Sequence, residues 1–177
     1  MLERFGIEDW DMVLIGDGSG CKWDHEMGWA VTAIEKDSME RRVFWGAANK
    51  GTVNFAEMMA YLQPLLWYFA ELDQREKKSK TRNRVRQVHI ITDSEYVRTR
   101  GDQENRMFKR NRLLWQIFDL IQRFGYILHW HWAERDTVAL NTFADQLSKA
   151  ARILVKESNT LKEVDDRIGV YDCNPWS

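Results

Sequence analysis

The stretch Met12-Val13-Leu14-Ile15-Gly16-Asp17-Gly18-Ser19-Gly20 decides the fold. Its apolar half reads as a buried strand, and its glycine-rich half as a tight turn that leaves Asp17 where the strand ends. A second compact apolar run, Val88 to Ile91, stops at Thr92-Asp93-Ser94 in the same way. If the two strands are parallel neighbours, Asp17 and Asp93 emerge side by side. That edge is where sheets with helical crossovers carry their sites.

Working outward, Gly28 to Ile34 and Arg42 to Ala48 are rich in Val, Trp and Phe and read as two more strands. The short links between them predict an antiparallel meander. Phe55 to Leu72 has helical periodicity, with Met58, Met59, Leu62, Leu65, Leu66 and Phe69 on its apolar face. Asn54 is the expected N-cap, and Pro64 predicts a kink or an early end. A helix is expected from Ser94 and another over Asn111 to Phe124, with Leu113, Leu114, Ile117, Phe118 and Ile121 inward. Tyr126 to Ala133 alternates as a strand, with Trp130 and Trp132 opposite His129 and His131. A last helix runs from Ala139 to Val155, with Leu140, Ala144, Leu147, Ala151 and Leu154 buried. The expected fold is α/β: a five-stranded mixed sheet, three antiparallel strands then two parallel ones, with helices packed on it.

The 177 residues suffice for one domain, with a core over about 10–157 and a tail over 158–177. An apolar fraction of 44% and a charged fraction of 30% are ordinary for a globular chain. No apolar run is long enough to cross a membrane, and the start lacks a secretory pattern, so a cytoplasmic protein is expected. Cys21 and Cys173 show no paired spacing, which argues against disulfide or zinc frameworks. The net charge of −1 neither supports nor excludes a nucleic-acid partner, because the charge is unevenly spread. Residues 75–86 and the stretch from Arg98 to Arg112 are basic, while the tail leans acidic.

Two more acids stand near the expected edge: Glu57 in the first turn of its helix, and Asp145 one turn after Asn141. Four carboxylates converging without basic partners would repel and drift toward protonation. A hard divalent cation removes that conflict, and Mg²⁺ prefers carboxylate oxygens. Two ions about 4 Å apart suit phosphodiester hydrolysis, one activating water and the other stabilising the leaving oxygen.

Asp17-Gly18-Ser19, Asn54-Phe55-Ala56-Glu57, Thr92-Asp93-Ser94-Glu95-Tyr96-Val97 and Asn141-Thr142-Phe143-Ala144-Asp145-Gln146-Leu147 resemble, in order, the four motifs of type 1 ribonuclease H. Asn111-Arg112-Leu113-Leu114-Trp115-Gln116 and Trp130-His131-Trp132 extend the resemblance, which covers about residues 10–155. It implies a ribonuclease H-like fold that hydrolyses the RNA strand of RNA–DNA hybrids with two Mg²⁺ ions, or Mn²⁺, leaving 5′-phosphate and 3′-hydroxyl ends. On that pattern Asp17 bridges both metals, Glu57 and Asp93 complete one site, and Asp145 serves the other. Ser19, Asn54, Ser94, Arg135 and Asn141 would contact substrate, with Asn54 sensing the 2′-hydroxyl. A monomer is expected.

The chain departs from the pattern in two places. The family's best-studied members place a histidine in the loop before the last helix, and some relatives have arginine there. Here Ala133-Glu134-Arg135-Asp136-Thr137-Val138 has none, and Arg135 is the expected substitute, with slower turnover. The stretch from Thr99 to Asn111 is also too short for an extended basic protrusion.

The basic run 75–86 is expected far from the acids, because the helix after Glu57 carries the chain about 25 Å away. Arg98, Arg100, Arg106, Lys109 and Arg110 are better placed for phosphates. His129 and His131 lack a third ligand for a metal, and Trp115, Trp130 and Trp132 are spaced as core residues. Two other functions compete: a DNA-directed nuclease of the same fold, and a binding module without strong catalysis.

Overall fold

A computed structural model describes residues 2–20, 26–79, 85–101, 111–135, 137–158 and 169–172; within these, side chains are not described for 72–79, 157–158 and 169–172. The strands are β1 (Met12–Gly20), β2 (Met27–Glu35), β3 (Arg41–Ala48), β4 (Arg86–Thr92), β5 (Tyr126–Trp132) and β6 (Gly169–Asp172). The helices are α1 (Val53–Ser79), α2 (Glu95–Gly101), α3 (Arg112–Arg123) and α4 (Ala139–Ser158). Sheet order is β5-β4-β1-β2-β3-β6. β1 pairs antiparallel with β2, and β2 with β3; β1–β4 and β4–β5 are parallel. The five expected strands are present in the expected senses. The tail adds a short sixth, antiparallel to the edge of β3.

Side chains alternate across β1 and divide the core in two. Met12 and Leu14 pack in the larger cluster with Ala56, Met58, Leu62 and Leu65 of α1, together with Trp115, Phe118 and Ile121 of α3. Val13 and Ile15 face the other way, with Ile91, Ala133 and Val138 and the partly buried Leu140 of α4. Among the described residues no helix is long and apolar enough to cross a membrane.

Several local expectations are corrected. β1 does not turn at Gly16; it continues to Gly20 because β2 keeps pairing with it, Asp17 opposite Ala30 and Gly20 opposite Met27. α1 begins at Val53, and Thr52 Oγ1 accepts the Phe55 N–H at 3.2 Å, so Thr52 caps the helix and the exposed Asn54 lies inside it. Nor does Pro64 end α1. The packing of Leu62 and Leu65 on the sheet, and the 2.6 Å bond from Trp29 Nε1 to Gln63 Oε1, hold the helix across the missing N–H.

Leu66, Leu113, Leu154 and Trp132 are exposed rather than inward. α3 buries Trp115, Phe118 and Ile121, all expected in the core, and α4 buries the expected Ala144 and Ala151 together with Asn141, Ser148 and Val155. Residues 75–79, expected to be irregular, form the last turns of α1. The rest of the basic run up to residue 84 lies outside the described residues. So do Arg106, Lys109 and Arg110, and both cysteines.

Candidate metal centre

The β1–β4 register explains why the acids meet. Met12 pairs with Val88 and Ile15 with Ile91, after which the two strands no longer pair. Carried two residues further, the same register sets Asp17 against Asp93. A split therefore opens between the strands where both carboxylates lie. Tyr61, one turn after Glu57, pins its rim: the hydroxyl bonds Gly16 O at 2.6 Å and lies 3.2 Å from Ile91 O, one contact on each strand. Its phenol is fully buried, and that burial pushes its pKa well above the usual value.

Two glycines bring the helices in. A Cβ on Gly18 would lie 2.2 Å from the Glu57 backbone N, so the first turn of α1 rests directly on β1. A Cβ on Gly28 would lie 2.2 Å from Ser148 O, so α4 rests as closely on β2. Glu57 thus reaches the split from one face of the sheet and Asp145 from the other.

The structure brings one carboxylate oxygen each from Asp17, Glu57 and Asp93 within 4.8 Å of one another. Asp17 and Glu57 are buried, and the Asp93 side chain is only 4% exposed. Burial first, then the neighbouring Asp93 and Asp145 charges and a hydrogen bond with the Asp145 carboxyl, push the Asp17 pKa up to about 7. Glu57 is likewise raised well above the usual range, by burial and then by Asp17 and Asp93. The polar Gly18 backbone N–H acts on both carboxylates in the opposite direction.

Asp17 Oδ1, Glu57 Oε2 and Asp93 Oδ1 are buried and accept no hydrogen bond among the described residues. Three carboxyl groups that each keep a buried, unpartnered oxygen, and that gather at one point, are costly to ionise together without a cation. Their all-oxygen donor set suits Mg²⁺ or a similar hard ion. The residues present therefore fit a divalent cation.

Two side-chain cations flank the triad. Arg135 Nε donates to Asp93 Oδ2 at 3.1 Å from the loop before α4. Lys149 Nζ donates to Asp145 Oδ2 at 2.6 Å. Ser19 is buried in β1, next to the register position of Gly28. Ser94 Oγ accepts the Val97 N–H at 3.4 Å, which makes it the cap of α2. Asn141 is buried in the first turn of α4, and its Oδ1 accepts nothing among the described residues.

Tyr61 and Lys149 carry no reading from sequence, and Gly18 reads there as part of a turn and not as a contact point. For Tyr61 and Lys149 the available signal was a spacing of four residues after an acid, which on a helix puts both on one face.

His89 joins His129 and His131 on one sheet face. Its Nε2 lies 2.9 Å from the carbonyl of Asp9, an acceptor, and so carries the hydrogen. Its Nδ1, 2.8 Å from His131 Nε2, then accepts from that ring. His129 Nε2 meets Gln87 Oε1 at 2.7 Å. Hydrogen bonds, rather than a metal, account for the trio.

No protein-family model and no curated protein matches the sequence. Solved structures match its fold. The N-terminal RNase H domain of Rv2228c from Mycobacterium tuberculosis, solved fused to maltose-binding protein, is 18% identical at a TM-score of 0.60, over 85% of this chain and 99% of that one. LC11-RNase H1, solved in complex with an RNA/DNA hybrid, is 16% identical at 0.63, over 82% and 99%. RNase H1 from the halophilic archaeon Halobacterium salinarum is 16% identical at 0.56, over 79% and 96%. The chain has the ribonuclease H-like fold.

Proposed function

We propose that the protein is a divalent-cation-dependent endoribonuclease that hydrolyses the RNA strand of RNA–DNA hybrids, leaving 5′-phosphate and 3′-hydroxyl ends. The observation that carries the reading is the trio of orphaned carboxylate oxygens from Asp17, Glu57 and Asp93, set in the β1–β4 split of a ribonuclease H-like fold. Two bound ions, Mg²⁺ or Mn²⁺, would supply an activated water and charge stabilisation for the leaving oxygen. Asp17 would serve both ions, Glu57 and Asp93 the first, and Asp145 the second.

The chain's other residues orient the substrate. Arg135 stands at the mouth with its side chain 70% exposed, able to turn from Asp93 toward the scissile phosphate, the task sequence reading gave it in place of the missing histidine. Asn54 is exposed in the first turn of α1, one turn from Glu57, and is assigned the 2′-hydroxyl. Ser19 and Asn141, the two remaining candidates from sequence, are buried in β1 and in the first turn of α4. Ser94 would donate its hydroxyl proton, since its lone pair already caps α2. A monomer suffices, because all four acids come from one chain.

The test is a panel of labelled duplexes in Mg²⁺: RNA–DNA hybrid, RNA–RNA and DNA–DNA. The expected result is cleavage of the RNA strand of the hybrid alone, with products that a 5′-phosphate-dependent exonuclease degrades. Cleavage of DNA–DNA instead would make the protein a DNA-directed nuclease. Binding to the hybrid with no cleavage would make it a binding module.

A further inference from the structure

The four carboxylates differ in what already holds them. Asp17, Glu57 and Asp93 each keep one oxygen that accepts nothing among the described residues. Arg135 takes only the other oxygen of Asp93. Asp145 is different: Lys149 Nζ sits on its Oδ2 at 2.6 Å, and the charge of the same carboxylate acts on Asp17. Asp145 also lies outside the group of oxygens gathered within 4.8 Å. An Asp–Lys pair four residues apart is ordinary on a helix surface. This one is not only a surface pair, because its acid is tied to a buried anionic cluster.

We propose that Lys149 is a built-in competitor for a cation at Asp145, so that the centre fills in two unequal steps. The first step uses the orphaned oxygens of Asp17, Glu57 and Asp93 and displaces no side-chain cation. The second needs Asp145, where an ion must replace an ammonium and approach against its charge. Lysine suits such a role: its head is a compact point charge on a flexible stem, able to swing out to water. Its side chain is 53% exposed, so there is solvent for it to enter. Activity that depends on both ions would then follow the weaker step, with Lys149 setting the cation concentration at which it begins. The inference rests on the reading of these carboxylates as a metal centre.

The test is calorimetric titration of Mn²⁺ into the full-length, metal-free protein, with no nucleic acid present, for wild type, Lys149→Gln and Lys149→Arg. Two binding steps are expected in wild type. Lys149→Gln should leave the first unchanged and tighten the second about threefold to tenfold. Lys149→Arg, which keeps the charge, should resemble wild type. A second step that is no tighter in Lys149→Gln, a first step that moves as much as the second, or a single step in all three proteins would overturn the inference and leave the metal centre standing. Wild type that takes up no Mn²⁺ would overturn both. Melting curves of the metal-free variants show that each is folded.

Discussion

Asp17 is the residue on which the site's electrostatics turn. Its carboxyl is raised to about 7 by burial, then by Asp93 and Asp145. A carboxyl raised in the folded state holds its proton more tightly there than in the unfolded chain. Its contribution to stability is therefore full below about pH 4 and is lost as pH rises through about 7. Glu57 shifts in the same direction. In chelator, the protein should melt lower at pH 8 than at pH 5. Asp17→Asn is neutral at both, and should stabilise the metal-free protein at pH 8 by roughly 1–3 kcal/mol, below the full pKa shift because a buried amide carries a desolvation cost of its own. Equal melting of the two proteins at pH 8 would mean that Asp17 is not strained by its neighbours. Adding Mg²⁺ should raise wild type more than the variant, since the ion relieves what the substitution has already removed.

At the scale of elements, two glycines are contact points, Gly18 from the stretch read as a turn and Gly28 from the start of an expected strand. Gly18 in β1 takes the first turn of α1, and Gly28 in β2 takes α4. Gly18→Ala would drive a methyl group to within 2.2 Å of the Glu57 backbone, which a helix cannot relieve by a rotamer change. The expected cost is about 1–3 kcal/mol, with Glu57 displaced and hybrid cleavage reduced together with stability in urea. Unchanged stability would show that α1 does not rest on β1 there. Composition alone could not distinguish these roles, since glycine marks both tight turns and close approaches. The same limit explains the other local differences. Thr52 and Asn54 are both fair caps by residue type, and only the start of α1 at Val53 decides between them. Leu113 and Leu154 fit an apolar stripe yet are exposed, while Asn141 and Ser148 take buried positions because of how α4 lies on the sheet.

For the whole molecule, most of the architecture was legible because apolar runs and their order specify strands, crossovers and the edge where sites gather. Asp17 and Asp93 are expected side by side only if their strands are parallel neighbours, and the pairing of Met12 to Ile15 with Val88 to Ile91 meets that condition. What sequence could not show lies in contacts across the fold: Tyr61 bridging Gly16 and Ile91, Arg135 on Asp93, and the short β6 on the edge of β3. These depend on which surfaces meet, and local patterns carry no record of that.

The central claim is that the Asp17, Glu57 and Asp93 carboxylates form a cation centre that cleaves RNA paired with DNA. It is tested most directly by the cleavage rate of a labelled RNA–DNA hybrid in saturating Mn²⁺, comparing wild type with Asp17→Asn at matched, verified folding. The expected result is metal-dependent cleavage by wild type, and loss of at least about a hundredfold in the variant. Cleavage by Asp17→Asn at the wild-type rate, or equal cleavage by wild type in chelator, would contradict it.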